Sequence, residues 1–242
     1  MLRDVLNTVV STAKSNKISK PYLVGGFPRD VYMKRINKIS DVDITTGDDS
    51  VVELAELLLK TLKGSSLMKY SDGHAKLRYE KISIDFSSNF KIPGISEILK
   101  GAGIIDPKSM QEELYSRDFT VNTLLMPLDL SSIMDSTGLA FKDIENKILD
   151  TCLPPETTFS NDPRRIIRVV YLCAKLGFKP SQRVVEWVSE NNTIMNDVPE
   201  GYIKEKTNKA FKADAGYAKK LIEILKLETV VPGTSLSRSI DE

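Results

Sequence analysis

The segment from Tyr22 to Thr46, YLVGGFPRDVYMKRINKISDVDITT, constrains the chain most, because it sets a Gly-Gly turn between a short apolar run and two alternating carboxylates. Tyr22-Leu23-Val24 reads as a buried strand entering Gly25-Gly26, where missing Cβ atoms let the backbone bend sharply and approach a ligand closely. Phosphate can then rest on bare amides. Arg29 and Asp30 open an apolar-periodic run, where free N–H groups, the helix dipole and a guanidinium together favour a polyanion. Val42 and Ile44 alternate with Asp41 and Asp43, so a strand of period two turns both carboxylates to one face. Two acids so placed bind a divalent metal. A hairpin loop with a solvated acidic strand end is the blander alternative.

Along the chain, patterning predicts helices over 3–15, 27–35 and 49–63, and strands over 21–24, 41–45, 66–71, 74–80 and 82–87, the last two joined by a tight turn near Glu80-Lys81. That order calls for an α/β head with a mixed sheet and a site at a strand edge. Gly, Pro and Asn between Ser88 and Ile105 suggest a mobile loop, and a helix over 117–126 closes the head. After Pro154-Pro155 only helical periodicity remains, near 162–176, 181–191, 201–212 and 215–226. The expected division is a head at 1–150, an all-α neck at 151–230 and a flexible tail at 231–242.

Lys and Arg number 34 against 33 Asp and Glu, so the molecule as a whole has no strong electrostatic preference. Residues 161–220 carry 12 basic against 7 acidic side chains, which suits either a polyanion or an ordinary solvated helical surface. Cys152 and Cys173 have no metal-ligand or redox spacing and read as reduced and structural. Charged residues interrupt every apolar run, leaving no signal peptide or membrane span, so a cytoplasmic protein is expected.

The form GGxxRD followed by DxDI resembles the class II tRNA nucleotidyltransferase and bacterial poly(A) polymerase family, within the polymerase-β-like nucleotidyltransferases. Three further stretches match in order. Ser116-Arg117-Asp118-Phe119-Thr120-Val121-Asn122 is similar to RRDFTxN, Asp135-Ser136-Thr137-Gly138 with Lys142-Asp143-Ile144 to DPxGG…DL, and Asn161-Asp162-Pro163-Arg164-Arg165-Ile166-Ile167-Arg168 to EDxxRxxR. The resemblance implies that Arg117 faces the bound nucleotide, with Ser116 standing where a second arginine is usual. Asn161 and Tyr171 depart from the family's Glu and Arg.

Nucleotidyl transfer needs a primer 3′-hydroxyl to attack the α-phosphate of an NTP. Asp41 and Asp43 can hold Mg²⁺ ions for this, and Asp85 on a neighbouring strand is a candidate third carboxylate or a simple edge-strand charge. The single histidine, His74, is read as structural.

Asp162, Arg165 and Arg168 recur every third residue along one face of a helix capped by Ser160 or Asn161, opposite a core stripe of Ile166, Val169, Val170, Cys173 and Leu176. An aspartate acceptor beside an arginine donor matches the amino group and ring nitrogen of C and A, and mismatches U and G. The resemblance implies this templating role for Asp162 and Arg165, with Arg168 nearer the phosphates.

The expected activity is template-independent addition of C and A to the 3′ end of tRNA from CTP and ATP. The alternatives are poly(A) addition to an RNA 3′ end, or a silent nucleotide- or RNA-binding regulator. With the last expected helix ending near Leu227, RNA is expected to be gripped by the acceptor end through the basic surface of 164–220, or with contacts borrowed in a homodimer.

Overall fold

Strand residues of period two sort the sheet into a covered and an open face. The computed structural model describes residues 1–35, 41–70, 73–87 and 91–231. Contacts divide the chain into two units, Met1–Lys142 and Asp143–Glu242. In chain order the first unit comprises α1 (Leu2–Ser15), β1 (Tyr22–Val24), α2 (Gly26–Tyr32), β2 (Asp41–Thr45), α3 (Ser50–Thr61), β3 (Ser66–Lys69), β4 (Ala75–Tyr79), β5 (Ile82–Phe86), α4 (Ile95–Gly101), α5 (Ser109–Tyr115) and β6 (Met126–Pro127). Helix α6 (Ala140–Glu145) crosses the division.

The sheet runs β3-β4-β5-β2-β1-β6, with β2 and β5 parallel and the other pairs antiparallel. Val42, Ile44, Ala75, Leu77, Ile84 and Phe86 point to one face and are buried with Leu6 and Val9 of α1 and Leu54 and Leu58 of α3. Each of these side chains larger than Ala75 contributes roughly 1.5–3 kcal/mol on leaving water, which fixes the register, since a one-residue slip would expose the whole set. The alternate residues of β2, β4 and β5 therefore face the other way. A strand-edge site was expected, but β2 and β5 are the two middle strands, because the β4–β5 hairpin adds outward from β2.

The segment expected to be a mobile loop holds α4, and α5 follows it; both span seven residues, too short to show a helical period. Ser88–Phe90 of that loop, Ser71 at the end of the expected third strand, and the expected tail from Pro232 to Glu242 lie outside the described residues. In place of a helix over 117–126 the chain makes a 3₁₀ turn at Thr120–Asn122 and enters β6. The Asp118 carboxylate accepts from the Phe119 N–H and the Asn122 amide (both 2.9 Å), a local bonding pattern that competes with helix.

The second unit contains β7 (Ile148–Leu149), α7 (Pro155–Asn161), α8 (Arg164–Leu176), β8 (Lys179–Pro180), α9 (Gln182–Asn191) and α10 (Glu200–Ile224), with a 3₁₀ stretch at Asn192–Asp197. Helix α10 breaks at Asp214 (φ −158°, ψ 99°), whose carboxylate caps the second half by accepting from the Tyr217 N–H at 2.9 Å. The unit is helical except for the short parallel pair β7–β8, which the sequence did not suggest. Among the described residues no helix is long and apolar enough to cross a membrane. The fold class is thus a mixed α/β sheet layer followed by helices.

Candidate nucleotide and metal site

Val24 stands opposite Asp43 where β1 runs out into the Gly-Gly turn. Gly25 has φ +74°, and a Cβ there would lie 2.5 Å from Asp43 Oδ2. Only glycine meets both demands, so the turn backbone approaches the carboxylate directly. Asp41 is exposed and Asp43 half-buried on the open face of β2, while Val42 and Ile44 are buried on the other.

Across the parallel β2–β5 ladder Asp43 is level with Asp85 and Asp41 with Ser83, which brings Asp85 to the same face on the adjacent central strand. Asp85 is therefore no edge-strand charge. Its carboxylate pairs with Lys76 Nζ at 3.1 Å, from the residue directly opposite on β4. Among the described residues no three His, Cys, Asp or Glu side chains converge tightly enough to form a metal cluster. What remains is the pair Asp41 and Asp43, hard oxygen donors beside a turn with no Cβ in the way, and this set fits Mg²⁺.

Helix α5 lies over this end of the sheet. Gly47, at φ +77°, permits the approach: a Cβ there would sit 3.0 Å from Met110 Cα, and Ser109 Oγ donates to the Gly47 carbonyl. Leu114 packs with Val24 and Leu125. Arg117 was expected near a helix start, but it follows the end of α5, whose C-cap is Ser116. Its Nη2 lies 2.5 Å from Glu113 Oε1, a partner one helical turn back that the sequence reading missed. Burial opposes the Arg117 charge, yet Glu113, then Asp43 and Asp118, hold its pKa above the ordinary arginine value. Burial pushes the Glu113 carboxyl up. Arg117 is thus a fixed positive charge within the field of Asp43.

Arg29, expected to meet phosphate, is 2% exposed. Its Nε and Nη2 bind Asp30 Oδ1 at 2.8 and 2.7 Å, and Nη1 donates to Asn122 Oδ1 at 2.6 Å. Asn122 passes the link to Asp118. Arg29 therefore braces α2 against the 3₁₀ turn: a buried guanidinium is costly unless its donors are satisfied, and these bonds satisfy them.

Ser116 is buried, donating to the Glu112 carbonyl and accepting from the Ile92 N–H. Asp135 receives the Thr137, Gly138 and Phe141 N–H groups and so shapes the turn into α6. His74 stacks on Tyr70, with centroids 4.0 Å apart, beside the β3–β4 turn.

In the second unit Ser160 and Asn161 lie inside α7, so neither caps α8 as expected. Asp162 does so itself: with extended backbone it accepts the Arg164 N–H at 3.1 Å, and Pro163 supplies the first helical φ. The same carboxylate takes a two-pronged contact from Arg164, Nε at 2.7 Å and Nη2 at 3.1 Å, whereas Arg165 Nε stands 3.9 Å away. Arg165 is buried and Arg168 half-buried, while Ile166, Val169, Val170, Cys173 and Leu176 form the buried stripe. Burial pushes the Cys173 thiol up, leaving it unreactive.

A mixed sheet with one open face, a glycine turn and acids on its two central strands is the head fold of the polymerase-β-like nucleotidyltransferases. The chain belongs to the poly A polymerase head domain family, whose model matches residues 21–150. It is 31% identical over 184 residues to the CCA-adding enzyme of Bacillus subtilis, covering 73% of this chain and 42% of that protein. It is 25% identical over 218 residues to the A-adding tRNA nucleotidyltransferase of Aquifex aeolicus, covering 86% and 24%. The crystal structure of the Bacillus stearothermophilus CCA-adding enzyme in complex with CTP superposes with TM-score 0.73 at 22% identity, over 94% of this chain and 53% of that one. The chain spans less than half the length of these two curated relatives.

Proposed function

We propose that the chain is the catalytic head and neck of a cytoplasmic, metal-dependent RNA nucleotidyltransferase that adds C and A to the 3′ end of tRNA. The observation that carries this reading is the surroundings of Asp43: a glycine turn where any Cβ would stand 2.5 Å from its oxygen, Asp41 on the same face, and the Arg117 charge held in its field. The names of the relatives, which include CCA-adding and A-adding enzymes, point the same way.

Asp41 and Asp43 would hold Mg²⁺, which when bound lowers the pKa of the attacking hydroxyl and neutralises charge on the triphosphate. The Gly25-Gly26 turn offers backbone to the phosphates, and Arg117 offers a fixed charge toward the nucleotide. Arg29 serves by positioning, since Asp30 and Asn122 occupy it. The primer oxygen bonds to the α-phosphorus as the bond to the leaving pyrophosphate breaks. Asp162 and Arg165 read the base edge, and Arg168 lies on the phosphate side. For Asp162 this requires release of Arg164, whose side chain is 51% exposed, so the exchange costs no more than about 1 kcal/mol.

Poly(A) addition is the second reading, because poly(A) polymerase I of Escherichia coli is 32% identical over 109 residues. The test is incubation of the purified chain with Mg²⁺, a tRNA lacking its terminal CCA and each labelled NTP in turn. C followed by A supports the proposal, runs of A alone replace it with the second reading, and no incorporation leaves nucleotide or RNA binding without catalysis.

A further inference from the structure

Lys76, Asp85 and Asp43 form one row across three neighbouring strands, opposite one another on the open face. The row reads positive, negative, negative. Lys76 Nζ sits 3.1 Å from Asp85 Oδ2, and both side chains are 27% exposed, so the pair is neither locked in the core nor fully solvated. The ammonium neutralises a carboxylate that stands level with Asp43 on the next strand, and so quiets the repulsion between the two acids. A divalent cation at Asp43 would meet the Lys76 charge close by, and it could recruit Asp85 only after Lys76 had left. The flexible lysine stem can swing, and an arriving polyphosphate is the group that would draw it.

We propose, resting on the reading of Asp41 and Asp43 as metal ligands, that Lys76 is a displaceable counter-ion that makes recruitment of Asp85 to the metal conditional on an anionic substrate. Metal alone binds through two carboxylates, and metal with polyphosphate binds through three. Cation and polyphosphate affinities are therefore coupled through a single lysine, in both directions.

The test is Mn²⁺ binding to the full chain by electron paramagnetic resonance, without turnover, in the presence and absence of inorganic triphosphate. Lys76→Met should tighten binding of Mn²⁺ alone by about threefold to fivefold and shrink the gain that triphosphate brings, as expected from freeing a carboxylate from a half-exposed ion pair. Lys76→Gln should repeat this. Arg78→Met, two residues along the same strand face, removes equal charge without the contact and should have a clearly smaller effect. Adding Asp85→Asn to Lys76→Met should erase the gain. An unchanged or weaker Mn²⁺ affinity in both Lys76 variants, or an equal gain in Arg78→Met, overturns the role of Lys76 while leaving Asp41 and Asp43 as ligands. No Mn²⁺ binding by the parent chain, with or without triphosphate, overturns the metal assignment itself.

Discussion

The two candidate sites are built by different means. Around Asp43 the backbone sets the geometry: strand register puts Val24 and Asp85 on either side of it, and Gly25 closes on its oxygen. Around Asp162 the side chains set it, and one carboxylate is shared among a helix cap, a two-pronged arginine and a more distant second arginine. A backbone-built site has one arrangement, whereas a site made of long side chains has several that differ by about 1 kcal/mol each. The first suits chemistry that demands fixed distances, and the second suits a reader that must accept two bases.

The comparison breaks most sharply at the carboxylates. Asp41→Ala or Asp43→Ala should lower incorporation by roughly a hundredfold or more with the melting transition retained, since each removes a proposed metal ligand from an open face and no core atom. Both variants retaining above about a tenth of parental activity would end the two-carboxylate assignment.

Gly25→Ala tests whether backbone is the determinant. The new Cβ must displace Asp43 Oδ2, and alanine at φ +74° is strained in its own right, so the folded state should lose more than about 1 kcal/mol. Transfer should fall tens-fold even in the fraction that denaturant titration shows to be folded. Near-parental activity would mean that the turn can retreat and that register alone positions Asp43.

Those two sites differ in legibility for the same physical reason. Period-two alternation at Asp41–Thr45, the glycine pair and the Ala75–Phe86 hairpin are backbone signals, and the structure carries them as the sequence implied. Helix α8 and the break near residue 214 were legible from helical periodicity. What failed to show was set by tertiary partners. The seven-residue helices α4 and α5 have too few turns to register a period, so the position of Arg117 behind a helix end was read as a helix start. Arg29 carries a charge that suits phosphate, and only its spatial neighbours Asp30 and Asn122, the latter 93 residues away, reveal a bracing role. Lys76 gave no signal at all, since its meaning comes from cross-strand register with Asp85.

At the side-chain-built site, exchanging polarity sharpens the contrast. In the double variant Asp162→Arg with Arg165→Asp, use of UTP or GTP relative to CTP and ATP should rise about tenfold, since each buried donor–acceptor mismatch costs about 1–3 kcal/mol. Discrimination is measured as the ratio of kcat/KM values. An unchanged nucleotide preference in a still active variant would remove base reading from this pair.

Arg164→Ala should have the smallest effect, and its sign is informative. Arg164 holds both Asp162 oxygens through an exposed contact, while the capping bond to the Arg164 main-chain N–H survives truncation of the side chain. Stability should therefore shift by less than about 1 kcal/mol. With the competing guanidinium gone, the carboxylate is free to accept the amino group of C or A, and KM for CTP and ATP should fall by up to about fivefold. The same change should leave the relative use of the two bases nearly constant, since both present the same donor. A tens-fold loss of CTP and ATP incorporation would reverse the assignment, making Arg164 itself the reader and reducing its contact with Asp162 to the positioning of that guanidinium.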